Sequence, residues 1–170
     1  MKQAFKLASC ALLLSACATV EPDGPSATAE MRPASGSQVH GSVKFTAVGK
    51  RVRVDAEIAA LPSGLHGFHI HDKGDCSAPD AMSAGAHFNP GAKKHGAPGA
   101  PDRHAGDLGN LNANEYGKAT LSLMLDDISV SKGRDGVIGS AVIVHAGADD
   151  LKTDPAGNSG DRVACGVIGG

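Results

Sequence analysis

The chain has no tryptophan, one tyrosine (Tyr116) and four phenylalanines (Phe5, Phe45, Phe68 and Phe88), so aromatics are only 3% of its 170 residues. Any core must rest on Val, Ile, Leu and Ala. A sustained helical period is also missing, which excludes a helical bundle or coiled coil. The apolar stretch from Leu7 to Ala16 is too short to span a bilayer. Basic runs are absent as well. The 16 Lys and Arg stand against 18 Asp and Glu, a formal charge of −2, which offers a phosphate backbone no track and argues against nucleic acid as a partner. Present instead are 23 Gly and 9 Pro, which cut the apolar segments into short pieces, and eight His.

Residues 1–16 read as a secretory signal, with Lys2 and Lys6 ahead of the apolar stretch. Leu14, Ser15, Ala16 and Cys17 resemble the bacterial lipobox, whose cysteine becomes the lipidated first residue of the mature chain. Ordinary cleavage after Ala18 is the alternative, because Ala16 and Ala18 also form a small-x-small site. Either way the product leaves the cytoplasm. Loss of residues 1–16 removes two lysines and no acid, so the formal charge of −2 becomes −4. Cys10 leaves with the signal and Cys17 is the anchor candidate, which leaves Cys76 and Cys165. In an oxidising compartment a disulfide between them is the default, the alternative being two separate buried thiols. Closing a loop of about 90 residues stabilises by roughly 4 kcal/mol on the chain-entropy account.

Residues 17–37, rich in Pro, Gly and small polar residues, read as a flexible tether with at most a short strand near Ala27 to Arg32. Residues 38–170 form the folded domain. Val39 to Val48 and Arg51 to Ala60 read as two strands joined at Gly49 and Lys50, and in the second Val52, Val54, Ala56 and Ile58 alternate with polar residues. Further strands are expected at LHGFHIH, Lys118 to Asp127, Gly139 to Gly147 and RVACGVIG. Between His71 and Gly117 runs a long stretch of Gly, Pro, Asn, Asp and His, which a packed domain tolerates only if something else orders it.

His69 and His71 are two apart in a strand, so both imidazoles leave one face and can reach one ion. His145 ends the run AVIVH, on the strand face of Ala141 and Ile143. His87, His95, His104 and Asp107 follow one another with seven, eight and two residues between them inside the glycine-rich stretch. Three imidazoles and a carboxylate make a closed tetrahedral zinc set. His66 lies on the opposite strand face from His69 and reads as a hydrogen-bonded support, and His40 as surface.

The segments GLHGFHIH, SAGAHFNP, KHGAP, RHAGDLGN, VIVHAGADD and GDRVACGVIG resemble, in order from Gly64 to the C-terminus, the signatures of the copper/zinc superoxide dismutase family. Together with the short alternating strands and glycine turns, this implies an all-β fold, an eight-stranded antiparallel Greek-key barrel or sandwich with long metal-binding and active-site loops. It implies copper held by His69, His71, His87 and His145, and zinc held by His87, His95, His104 and Asp107, with His87 bridging the two. Arg162 would stand beside the copper, Asp149 would link ligands of the two metals, and Cys76 and Cys165 would form the intrasubunit disulfide. The implied reaction turns superoxide into dioxygen and hydrogen peroxide by cycling of copper, with Arg162 and His87 as the catalytic side chains and zinc structuring the site.

Ten residues (SAPDAMSAGA) separate Cys76 from His87, as in the family's bacterial periplasmic branch. That branch makes the usual dimer unsafe to assume, so a monomer or a homodimer is expected. The implied setting is the cell envelope, as a periplasmic lipoprotein touching the membrane through its anchor alone. The loop Ala146 to Asp161 lacks the family's acidic pair, which leaves Arg162 and Lys152 as the charges to consider for guiding superoxide. A metal buffer would need neither a bridging histidine nor Arg162, and an adhesin would need apolar patches that the sequence does not offer.

Overall fold

The computed structural model describes residues 23–170. The signal, Cys17 and the first part of the expected tether lie outside the described residues. Eight strands follow in order: β1 (Asp23–Pro33), β2 (His40–Val48), β3 (Arg51–Ala59), β4 (Gly64–His71), β5 (Asp107–Ala113), β6 (Ala119–Leu125), β7 (Ala141–His145) and β8 (Arg162–Gly169). All neighbours pair antiparallel in the order β5-β4-β7-β8-β1-β2-β3-β6. The outer strands β5 and β6 approach each other, so the sheet nearly closes into a barrel. The β3-to-β4 and β6-to-β7 connections cross between the two halves, in the manner of a Greek key.

The alternation in β3 works as its sequence dictates: Val52, Val54, Ala56 and Ile58 are buried while Arg51 and Glu57 face water. The turn before it uses Gly49 at φ 58°, a left-handed conformation that costs glycine little. Val43, Phe45, Val54, Phe68, Ile70, Leu111, Val142 and Val144 line the barrel interior with no accessible surface. Three buried phenylalanines, Phe45, Phe68 and Phe88, suffice because the β-branched residues of facing strands fill the rest.

Two expectations need correction. The tether does not extend through residues 23–33: the short strand expected near Ala27 to Arg32 is part of the longer β1, an interior strand between β8 and β2. Its alternation is hidden by small residues, since Ala27, Ala29 and Met31 are the buried ones. Its prolines stand where they do no harm, Pro25 in the irregular stretch between Asp23 and Ser26, and Pro33 at the strand's end. The second correction is β5, a regular strand inside the glycine-rich stretch between His71 and Gly117 where the sequence shows none. In DLGNLNA, two Asn and a left-handed Gly109 conceal a strand whose partner is β4.

Strand β7 is buried on both faces. Val142 and Val144 point into the barrel, while Ala141 and Ile143 pack outside it with Ala34, Ala81, Ala84 and Cys165. This second layer is the loop after β4, tied down by a disulfide between Cys76 and Cys165. The functional groups therefore lie on the outer wall of the barrel, under loops.

Candidate metal centre

Strand β4 alternates Phe68 and Ile70 into the barrel with His69 and His71 out of it. The register sets His69 opposite Ile143 and His71 opposite Ala141, so His145, two residues beyond Ile143, emerges on the same wall. The segment carrying His87 is added by backbone bonds. Phe88 N donates to Ile70 O at 2.8 Å, Gly106 N to Phe88 O at 2.8 Å, and Ile70 N to Gly106 O at 2.9 Å. A Cβ on Gly106 would collide with Ile70 O, so only glycine lets the three segments meet.

Two groups of potential ligands result: His69, His71, His87 and His145, and His87, His95, His104 and Asp107, all buried. In each group the ligand atoms lie within 4.8 Å of one another. In the second, His87 Nδ1 lies 2.8 Å from Asp107 Oδ1, and His95 Nδ1 and His104 Nδ1 each lie 3.1 Å from it. In the first, His69 Nδ1, His71 Nε2, His87 Nε2 and His145 Nε2 are buried and lack any hydrogen-bond partner, as does His95 Nδ1 of the second group. His87 thus turns one ring nitrogen to each group.

The opposite ring nitrogens explain which ones hold lone pairs. His69 Nε2 donates to Asp149 Oδ2 at 2.8 Å, and His95 Nε2 to Asp149 Oδ1 at 2.8 Å. His71 Nδ1 donates to Gly85 O at 3.0 Å, and His145 Nδ1 to Gly160 O at 3.0 Å. These partners are pure acceptors, so the protons sit there and the unpartnered nitrogens present lone pairs inward. Buried lone pairs without donors are costly, and a cation relieves the cost. All-imidazole ligands suit copper, and three imidazoles with a carboxylate suit zinc, so the residues present fit these two ions. The third grouping, His69, His95 and Asp149, is the hydrogen-bonded link between the two sites.

Electrostatics agree with ligands kept free of protons. Burial pushes His145 down to about 3, and it pushes His87 to about 4 against the pull of Asp107. His71 is held well below 6.5 by burial and by the charges of His87 and Arg162. For Asp107, burial works upward, but hydrogen bonds from His87 and the Gly96 amide outweigh it and hold the carboxyl at about 2.

Arg162 opens β8 opposite His145. Its Nη1 donates to Ala81 O at 2.8 Å and its Nη2 to Gly85 O at 2.7 Å, so it is fixed by the disulfide-tied loop. Burial lowers its pKa. Lys152 is exposed and Asp149 buried. His66 bridges Pro62 O and His145 O at 2.8 and 2.9 Å, and His40 is exposed.

Several contributors were not foreseen. Gly85 O serves His71 and Arg162 together. Asn110 is bonded to the main chain of Asp149, and Asp154 Oδ1 accepts from His95 N at 2.6 Å. Buried Arg103 donates to His104 O at 2.6 Å and pairs with Asp127 at 2.9 Å. RHAGDLGN, which carries Arg103 and Asn110, was the available signal, but its spacing does not reveal what those side chains touch.

Residues 39–168 match the copper/zinc superoxide dismutase family. The chain is 42% identical over 135 residues to an extracellular superoxide dismutase [Cu-Zn] of Haemonchus contortus, a match covering 76% of this chain and 73% of that one. It is also similar to a crystal structure of the clock protein EA4, at 44% identity and a TM-score of 0.76, over 85% of this chain and 93% of the other. With the barrel and both ligand groups in place, the chain belongs to the copper/zinc superoxide dismutase family of oxidoreductases, whose cofactors are copper and zinc.

Proposed function

We propose that the protein disproportionates superoxide to dioxygen and hydrogen peroxide, with His69, His71, His87 and His145 holding copper and His87, His95, His104 and Asp107 holding zinc. The observation that carries this assignment is the division of His87, whose Nδ1 faces Asp107 while its buried Nε2 faces the all-histidine group. Copper held there would supply the one-electron redox chemistry that disproportionation requires, whereas zinc has no redox chemistry and would serve geometry. The protein's own part is positional. Asp149 orients His69 and His95 at once, and Gly85 O and Gly160 O fix the rings of His71 and His145. His87 Nε2 is the nitrogen placed to hold the proton that the nascent peroxide needs. Arg162, held by two carbonyls at the edge of the histidine group, attracts the anionic substrate into the site, with Lys152 the next cation to consider.

The same reading places the enzyme in the cell envelope. Its supports are the residue pattern of 1–17, the Cys76–Cys165 disulfide and a relative named as extracellular. Residues 1–16 are the signal, Cys17 carries the lipid, and the membrane is touched through that anchor alone. The folded unit is a periplasmic-type enzyme acting as a monomer or homodimer, with superoxide as its partner and no nucleic acid.

The test is metal reconstitution. Protein loaded with copper and zinc should remove superoxide, and copper-free, zinc-loaded protein should not. Equal activity in the two would refute the assignment. Separately, Cys17→Ser should stay active but move from the membrane to the soluble fraction. A wild-type protein that is already soluble and begins at Thr19 would refute the anchor.

A further inference from the structure

Arg162 is not a bare cation. Each carbonyl that holds it is flanked by an exposed carboxylate from the loop after β4. Asp80 directly precedes Ala81, and its Oδ1 accepts the Met82 N–H at 3.0 Å, which fixes the carboxylate at the opposite edge of the Ala81–Met82 peptide whose carbonyl holds Arg162. Asp72 Oδ1 packs against Gly85, so closely that a Cβ there would collide with it, and Gly85 O takes the second guanidinium bond. Gly85 itself sits at φ 77°, where glycine is favoured. Among the described residues Arg162 makes no direct ion pair, so neither carboxylate cancels it by contact. Burial lowers the pKa of Arg162, and the charges of Asp80 and then Asp72 oppose that effect, which places both within electrostatic reach.

We propose that Asp80 and Asp72 set the strength and selectivity of the positive field at the mouth of the site, weakening the pull of Arg162 on anions in general and on doubly charged anions most. This rests on the reading of Arg162 as the guiding cation. The selectivity follows from Coulomb's law, because the energy between a carboxylate and an anion scales with the anion's charge. Whatever factor the loss of one carboxylate gives a monoanion, a dianion at the same place gains that factor squared. Superoxide carries one charge and inorganic phosphate near neutrality carries between one and two. A channel moderated by carboxylates therefore admits the substrate while refusing an abundant competitor. The loop after β7 places a single acid, Asp161, directly before the arginine, and the loop after β4 brings Asp80 and Asp72 within electrostatic reach of the same guanidinium.

The test uses the full, metal-loaded protein with azide as the monoanionic probe and inorganic phosphate at pH 8 as the dianionic one. Affinities are read from the visible spectrum and from competition with azide, alongside the superoxide rate at several ionic strengths. Asp80→Asn should tighten azide by about two-fold and phosphate by about four-fold at low salt, with the superoxide rate rising and its salt dependence steepening. Asp72→Asn should do the same to a smaller extent. Glu57→Gln, an exposed residue on β3, makes the same change in net charge and should leave both affinities at wild-type values. An Asp80→Asn protein indistinguishable from Glu57→Gln, with Arg162→Gln still weakening both anions, would overturn the carboxylate proposal alone. Wild-type anion affinities in Arg162→Gln would overturn the guiding role of the arginine and the proposal with it.

Discussion

Asn110 and Asp149 hold each other through two hydrogen bonds: Asn110 Nδ2 donates to Asp149 O at 2.9 Å, and Asp149 N donates to Asn110 Oδ1 at 2.8 Å. The side-chain amide of a β5 residue thereby anchors the loop after β7. It also fixes the carboxylate on which His69 and His95 both depend. Asn110→Ala strands two main-chain groups and should cost about 1–3 kcal/mol of stability. It should also weaken zinc binding. Urea unfolding of the metal-free protein and chelator competition for zinc check the two effects, and wild-type values in both would contradict the anchor.

His87→Ala should damage both metal sites, whereas His95→Ala should loosen zinc and leave copper largely in place. The reason is geometric, since His87 offers a nitrogen to each ligand group and His95 to one. Metal analysis with copper electron paramagnetic resonance reads the difference. An undisturbed copper spectrum in His87→Ala would contradict the shared role.

Gly106→Ala should destabilise the protein and lower zinc affinity together. The added methyl meets Ile70 O and lies 3.0 Å from Phe88 N, within the three-way backbone tie that joins β4 to the His87 and His104 segments. Overpacking of this kind costs about 1–3 kcal/mol. Gly169→Ala, where nothing lies within 4 Å and the backbone is not left-handed, is the comparison. Thermal unfolding of both variants decides it.

The metal-free protein should lose stability as the medium turns acidic. His87 at about 4 and His145 at about 3 lie below the ordinary 6.5, chiefly through burial. Below pH 6.5 the unfolded chain takes up protons at these positions that the folded one refuses, so unfolding gains progressively as pH falls toward 3. Asp107, held at about 2 against an ordinary 3.8, adds to the loss below pH 4. Folded stability should therefore be greatest above pH 6.5. Urea midpoints from pH 8 to pH 4 provide the measurement, and a flat profile would exclude it.

Fold class and ligand residue types were legible in the chain because each depends on local pattern. Period-two alternation marks a half-buried strand, as in β3, and His69 and His71 share a face because strand side chains alternate. Strand β1 shows in the sequence only as a short piece near Ala27 to Arg32, and β5 does not show, for the same reason: alanine, glycine and asparagine carry little alternation even when, like Ala27 and Ala29, they are buried. What only the tertiary structure decided is which atom of each residue does what. Residue spacing cannot say that His69 turns Nδ1 inward while His71 turns Nε2, because that choice follows from where Asp149 and Gly85 O stand after folding. Nor can it reveal a backbone carbonyl shared by His71 and Arg162, since every residue has a carbonyl and only long-range packing aims one.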